Sequence, residues 1–226
     1  MKQIISFLRQ LHQNNNREWF NAHKAEFLEH QSRFHQLVEE VIVEIGKYDP
    51  TITGLTAKDC TYRIYRDVRF SPDKSPYKCH FGAFITQGGK KSGYSGYYFH
   101  IGTGLSNEYP HCHLLAAGDY CCSPEILKII REDIVDGEGD FDQIVKQAAP
   151  TFLIDKENSL QRNPKGFTPD APYSEYLRLK SYCLCHQPDN AFWETKHLAQ
   201  HIAKIFEPTK DFLNYINRAI DFSREK

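Results

Sequence analysis

The hydrophobic period of this chain changes twice, and that change limits the folds open to it. From residue 3 to residue 47, apolar side chains recur at threes and fours. Ile4, Phe7, Leu8 and Leu11 make one stripe; Trp19, Phe20, Phe27, Phe34, Leu37, Val38, Val41, Ile42 and Ile45 make a second. The spacing predicts amphipathic helices over about 3–12 and 17–47. Asn14, Asn15 and Asn16 break the first and can cap the second, a kink is expected near Asn21–His23, and Asp49-Pro50 ends the run. Between 59 and 118 the period falls to 2. Residues 59–66, 80–87, 94–102 and 111–118 read as strands, with Gly88–Gly93 as a hairpin turn. After Ser123-Pro124-Glu125, a cap followed by proline, helical spacing returns over about 124–136, 141–149, 190–205 and 208–222. A short helix near 173–179 and a strand near 180–186 interrupt it. Helices, then strands joined by short connections, then helices again predict an α+β fold with helices packed on an antiparallel meander. At 226 residues, without repeats or linkers, one domain over 1–226 is expected: N-terminal helices 3–47, sheet 59–118, and a helical and mixed part 123–222.

Composition removes several classes of function. The net charge of −1 argues against a whole-surface nucleic-acid or membrane role. No apolar run nears the ~20 residues of a membrane helix, and the first residues lack the pattern of a signal peptide. The expectation is a cytoplasmic chain with reduced thiols, although it holds 7 cysteines. Cys183-Leu184-Cys185-His186 and His111-Cys112-His113 lack the paired spacing of structural zinc sites, so no metal is expected. No dinucleotide fingerprint, phosphate loop, nucleophile elbow or zincin helix occurs, which leaves no cofactor and no reaction to assign.

Charge is concentrated in one place. Between Cys60 and Lys91 stand Arg63, Arg66, Arg69, Lys74, Lys78, Lys90 and Lys91 against Asp67 and Asp73. The segment is +5 and the remainder of the chain −6. Arg63 and Arg66 fall on opposite faces of a strand, where a half-buried strand would avoid arginine. Arginine in such a place needs a carboxylate or phosphate partner. Asp67 and Asp73 are internal candidates, which would make the stretch a structural staple around Ser71-Pro72-Asp73-Lys74. They are too few for all the cations. The surplus points to a phosphate- or carboxylate-bearing ligand held by Arg63, Arg66, Arg69, Lys74 and Lys78 beside Tyr77, with Asp67 or His100 as proton-transfer candidates. The tyrosines around these cations, Tyr62, Tyr65, Tyr94, Tyr97 and Tyr98, would also suit a protein or nucleic-acid surface.

Asn14-Asn15-Asn16-Arg17-Glu18-Trp19-Phe20, Arg63-Ile64-Tyr65-Arg66-Asp67-Val68-Arg69-Phe70-Ser71, Asp73-Lys74-Ser75-Pro76-Tyr77-Lys78 and Gly96-Tyr97-Tyr98 resemble the uncharacterised family known as domain of unknown function 2461. Leu160-Gln161-Arg162-Asn163-Pro164-Lys165-Gly166-Phe167 resembles it too. The resemblance spans nearly the whole chain, carries over no activity or cofactor, and implies that these motifs belong together. Arg17, Trp19, Arg162 and Lys165 therefore join the ligand candidates. His80 and His100 lie on neighbouring strands, and an imidazole among cations has its charged form disfavoured, which leaves it available as a base. A ligand site predicts a concave convergence of these side chains; a binding surface predicts cations fanned outward.

Overall fold

Ser123 illustrates how local chemistry draws the elements: its hydroxyl accepts from the Ile126 amide, Pro124 occupies the first helical position, and a helix begins there. The computed structural model describes residues 1–157 and 159–225. In chain order the helices are α1 Lys2–Gln13, α2 Arg17–Ala22, α3 Lys24–Gly46 and α4 Ala57–Cys60. Three strands come next, β1 Phe81–Ile85, β2 Gly96–Ile101 and β3 Leu114–Asp119. Then come α5 Pro124–Asp136, α6 Asp140–Ala148, β4 Leu153–Ile154, α7 Ser174–Leu177, β5 Tyr182–His186, α8 Leu198–Phe206 and α9 Lys210–Arg224. The strands form one open antiparallel sheet in the order β1-β2-β3-β5-β4, so the fold is α+β with helices before and after the strands.

The expected long helix over 17–47 is broken where the kink was predicted. Asn16 caps α2, its side chain accepting from the Trp19 amide, and His23 separates α2 from α3. The expected strand 59–66 is corrected. Thr56 and Asp59 form a capping box that turns 57–60 into α4, and beyond it only Thr61↔Ala83 and Tyr65↔Tyr77 pair as isolated bridges. The two-residue β4, paired with β5 through Leu153↔Cys185 and Ile154↔Leu184, was not expected.

The chain divides into two compact units. The first comprises Met1–Ser92, Tyr98–Leu115 and Gln187–Lys204. Its core is aromatic. Phe34 lies 5.5 Å from Phe81 and 5.7 Å from Phe99, Phe27 stacks on Phe81 at 5.8 Å, and Trp193 backs Phe99. The second comprises Gly93–Tyr97, Ala116–His186 and Ile205–Lys226. There Phe141 is ringed by Tyr176, Tyr182, Phe212 and Tyr215, with centroids 5.0–5.7 Å apart. In that unit Ser95 is clasped to Asn217 of α9, its amide and hydroxyl donating to the side-chain carbonyl at 2.9 and 2.8 Å.

Candidate functional site

The charged stretch lies in the first unit, and it consumes much of its own charge. Arg66 pairs with Asp73 and donates to Ser75 O and Ser71 Oγ at 3.2 and 3.3 Å. Arg69 forks onto Asp67 at 2.6–3.2 Å, while Lys74 Nζ donates to Val68 O at 3.0 Å. Hydrogen bonds from Arg69 hold the Asp67 carboxyl below the usual carboxylate range, and those from Ser75 and Arg66 do the same to Asp73. Asp67 is thus an ion-pair partner and stays ionised at neutral pH. This half of the cluster is a staple that leaves Phe70 at its tip, 95% exposed, under the Arg69 guanidinium.

Two other motif residues serve packing. Tyr77 is buried, its ring stacked on Phe20 at 3.9 Å. Its backbone is clamped by Asn15, which donates to Tyr77 O at 2.9 Å and accepts from Tyr77 N at 3.1 Å. Trp19 stacks on His23 at 4.0 Å. The asparagine motif and the charged stretch therefore meet through an amide clamp and a ring stack. Arg17 and Glu18 are exposed and form no ion pair among the described residues. Arg162 and Lys165 are exposed in the second unit, where Asn163 between them closes its loop by donating to Thr168 O and Ser174 Oγ.

What remains of the cluster is its sheet end. Burial alternates through Tyr77, Cys79, Phe81, Ala83 and Ile85, which face the core, so Lys78, His80 and Gly82 take the other face. On β2, Phe99 packs into the core and Tyr98 and His100 share the opposite face. His100, fully buried, has both nitrogens engaged. Its Nε2 lies 2.9 Å from Cys112 O and must donate, because a carbonyl only accepts; Nδ1 then accepts from the Tyr98 hydroxyl at 3.1 Å. Two glycines make room for this. A Cβ on Gly82 would stand 2.9 Å from Tyr98 Oη, and one on Gly102 would collide with Cys112 O, the carbonyl that seats the 103–113 loop on His100.

His80 stands 5.0 Å from His100 and 5.8 Å from Tyr109, ring to ring, yet its nitrogens make no hydrogen bond among the described residues and Nδ1 is shut away from solvent. Burial pushes its pKa down to about 3, and that of His100 to about 4, so both rings are neutral. Tyr109, 66% exposed, also lies 5.5 Å from His100, ring to ring, and Tyr62 is 42% exposed. The half-buried Lys78 holds its ammonium 5.4 Å over the Tyr62 ring, and burial, with help from Arg63, lowers its pKa. Neither Lys78 nor the exposed Arg63 has an ion pair or hydrogen bond from its cationic head among the described residues.

Gly82 and Tyr109 were missed by sequence reasoning, and Tyr62 and Tyr98 were seen only as aromatics near cations. The available signal was the alternation of 77–82, which starts before the expected strand and places Lys78, His80 and Gly82 on one face. Among the described residues no group of three or more His, Cys, Asp or Glu side chains gathers as metal ligands. In the His111-Cys112-His113 stretch, His113 accepts from Gly102 N at 3.2 Å and donates to Asn190 Oδ1 at 3.0 Å, while His111 meets His12 edge to face at 4.5 Å. All seven cysteines are free thiols, and burial pushes Cys60 up to about 12 and Cys79 up to about 11. A groove in the same unit, lined by Glu39, Glu40 and Glu44 with Val43 and His197, carries the wrong sign for an anion. No helix among the described residues is long and apolar enough to cross a membrane.

Neither a curated protein nor a solved structure matches the chain. The family model described as "Conserved hypothetical protein (DUF2461)" matches residues 3–215. With nearly its whole length matched, the chain belongs to that family.

Proposed function

We propose that this protein binds a small phosphate- or carboxylate-bearing ligand at the sheet end of its charged stretch, with Lys78 and Arg63 as the charge-bearing contacts. One observation carries the reading: Lys78 keeps a half-buried ammonium beside an aromatic ring with no counter-ion among the described residues. Partial burial of an unpaired charge is unfavourable, and an arriving anion relieves it. Arg66, Arg69 and Lys74, already engaged inside the loop, give the loop its shape and do not face the ligand. Tyr62 and Tyr109 supply apolar walls.

The test is thermal unfolding of the wild type, Lys78→Met and Arg66→Ala with phosphate, sulfate, sugar phosphates and dicarboxylates. A ligand at a hundred times its Kd stabilises by about 2.7 kcal/mol, a shift of several degrees. The expected result is a selective upward shift that Lys78→Met abolishes and Arg66→Ala retains. A shift that survives Lys78→Met, or no shift with any anion, rejects the reading.

A second reading rests on Phe70, whose 95% exposure at a stapled tip suits an anchor for a protein partner. It requires capture of a partner to depend on Phe70 and to be indifferent to Lys78.

A further inference from the structure

Resting on the Lys78 site, we propose that the ligand is a phosphorylated sugar or polyol: Lys78 and Arg63 take its phosphate, and His80 takes one of its hydroxyl groups. Three features carry this.

The first is the open valence of His80. A neutral imidazole has one N–H donor and one lone-pair acceptor, and buried polar groups in folded proteins are nearly always paired. His100, Tyr98 and the Cys112 carbonyl pair with one another. Beside them His80 makes no hydrogen bond among the described residues, and its Nδ1 is closed to solvent. A hydroxyl group is both donor and acceptor, so it meets Nε2, the ring nitrogen that is not closed off, whatever the tautomer. Around His80 stand Lys78, which repels a proton, and the rings of His100, His111 and Tyr109. No carboxylate is among them to recruit a cationic ligand.

The second is the charge count. Lys78 feels the field of Arg63, and neither has an ion-pair partner among the described residues. A phosphate monoester carries about −1.5 to −2 at neutral pH, which matches two cations better than a monocarboxylate does. A lysine ammonium serves as a point-charge phosphate contact.

The third is spacing. Lys78 and His80 are two residues apart, the chain bends at Cys79 and His80 before β1 begins, and the Lys78 ammonium acts on the His80 ring. A phosphate held by Lys78 and Arg63 leaves His80 to another group, and a sugar phosphate presents hydroxyls several bonds from its charge. The exposed parts of Tyr62 and Tyr109 offer apolar surface to the C–H face of a sugar ring.

The experiment is calorimetric titration of the full chain with inorganic phosphate, ribose 5-phosphate and ribose. The wild type, Lys78→Met, His80→Phe and His80→Gln are each checked for folding by thermal unfolding. The expected wild-type result is ribose 5-phosphate bound at least tenfold tighter than inorganic phosphate. His80→Phe, which keeps a ring and removes both nitrogens, should bring that ratio near one, and His80→Gln should restore part of it. Lys78→Met should abolish binding of both phosphates. Equal affinities in the wild type, or a preference that survives His80→Phe, overturn the sugar-phosphate assignment and leave the Lys78 reading standing. Absence of binding by either phosphate overturns both. Were His80→Phe to unfold, the wild-type ratio and the His80→Gln value would still decide.

Discussion

Asn15 does with one side chain what a neighbouring strand would do with two backbone groups. It satisfies both the N–H and the C=O of Tyr77 and touches Cys79 Sγ at 3.4 Å. Asn15→Ala leaves those part-buried groups unpaired and should destabilise by about 1–3 kcal/mol in urea unfolding. Its neighbour Asn16, a helix cap, should cost about 1 kcal/mol on the same substitution. If the two variants prove equal to wild type, the clamp is ornamental. Gly82 yields a sharper test. A methyl group there meets Tyr98 Oη at 2.9 Å, so Gly82→Ala should destabilise by about 1–3 kcal/mol. Adding Tyr98→Phe, which removes the obstructing oxygen, should recover part of that loss. Strictly additive single effects would show that the phenol does not occupy the space the glycine leaves.

At the level of the element, the 66–75 loop is ordered by ion pairs and carbonyl contacts because it has little apolar surface of its own. Arg66→Ala and Asp73→Asn should therefore speed chymotryptic cleavage after Phe70 while leaving the unfolding midpoint of the whole chain nearly unchanged. Cleavage no faster than wild type would mean the loop holds its shape without those bonds. The elements also show where sequence reading succeeded. The second helical run was legible, including its break at His23, because apolar positions repeat over many turns and a cap marks its start. Residues 59–66 were misread because Tyr62, Ile64 and Arg66 alternate as a strand does. The capping box of Thr56 and Asp59 decides 57–60 locally, and Thr61 and Tyr65 find single bridges in place of a ladder. Pairing is a property of the partner as much as of the segment.

Across the whole molecule, acid sensitivity should come first from histidine. His35, His80, His100, His111, His113 and His186 are all lowered from 6.5, in each case foremost by burial. Between pH 6.5 and the folded pKa values, about 4 for His100 and about 3 for His80, the unfolded chain binds more protons than the folded one. Stability is then complete above pH 6.5 and is lost as the pH falls through that window. At about 1.4 kcal/mol per pKa unit, His100 alone accounts for on the order of 3 kcal/mol. Urea unfolding at pH 7.5, 6.0 and 4.5 should show the decline, with a shallower slope in His100→Gln; a flat wild-type profile would contradict the buried, neutral rings. By itself the sequence determined the α+β order, the helix caps and the concentration of cations between Cys60 and Lys91, because periodicity, capping and charge are local properties of the chain. Which cations stay unpaired was decided by the tertiary structure alone. Arg66, Arg69 and Lys74 are consumed by partners that the loop's closure brings within reach, while Lys78 is left beside Tyr62 and His80 beside a saturated His100. Charge is written in composition, but neutralisation depends on distance, and distance exists only once the chain has folded.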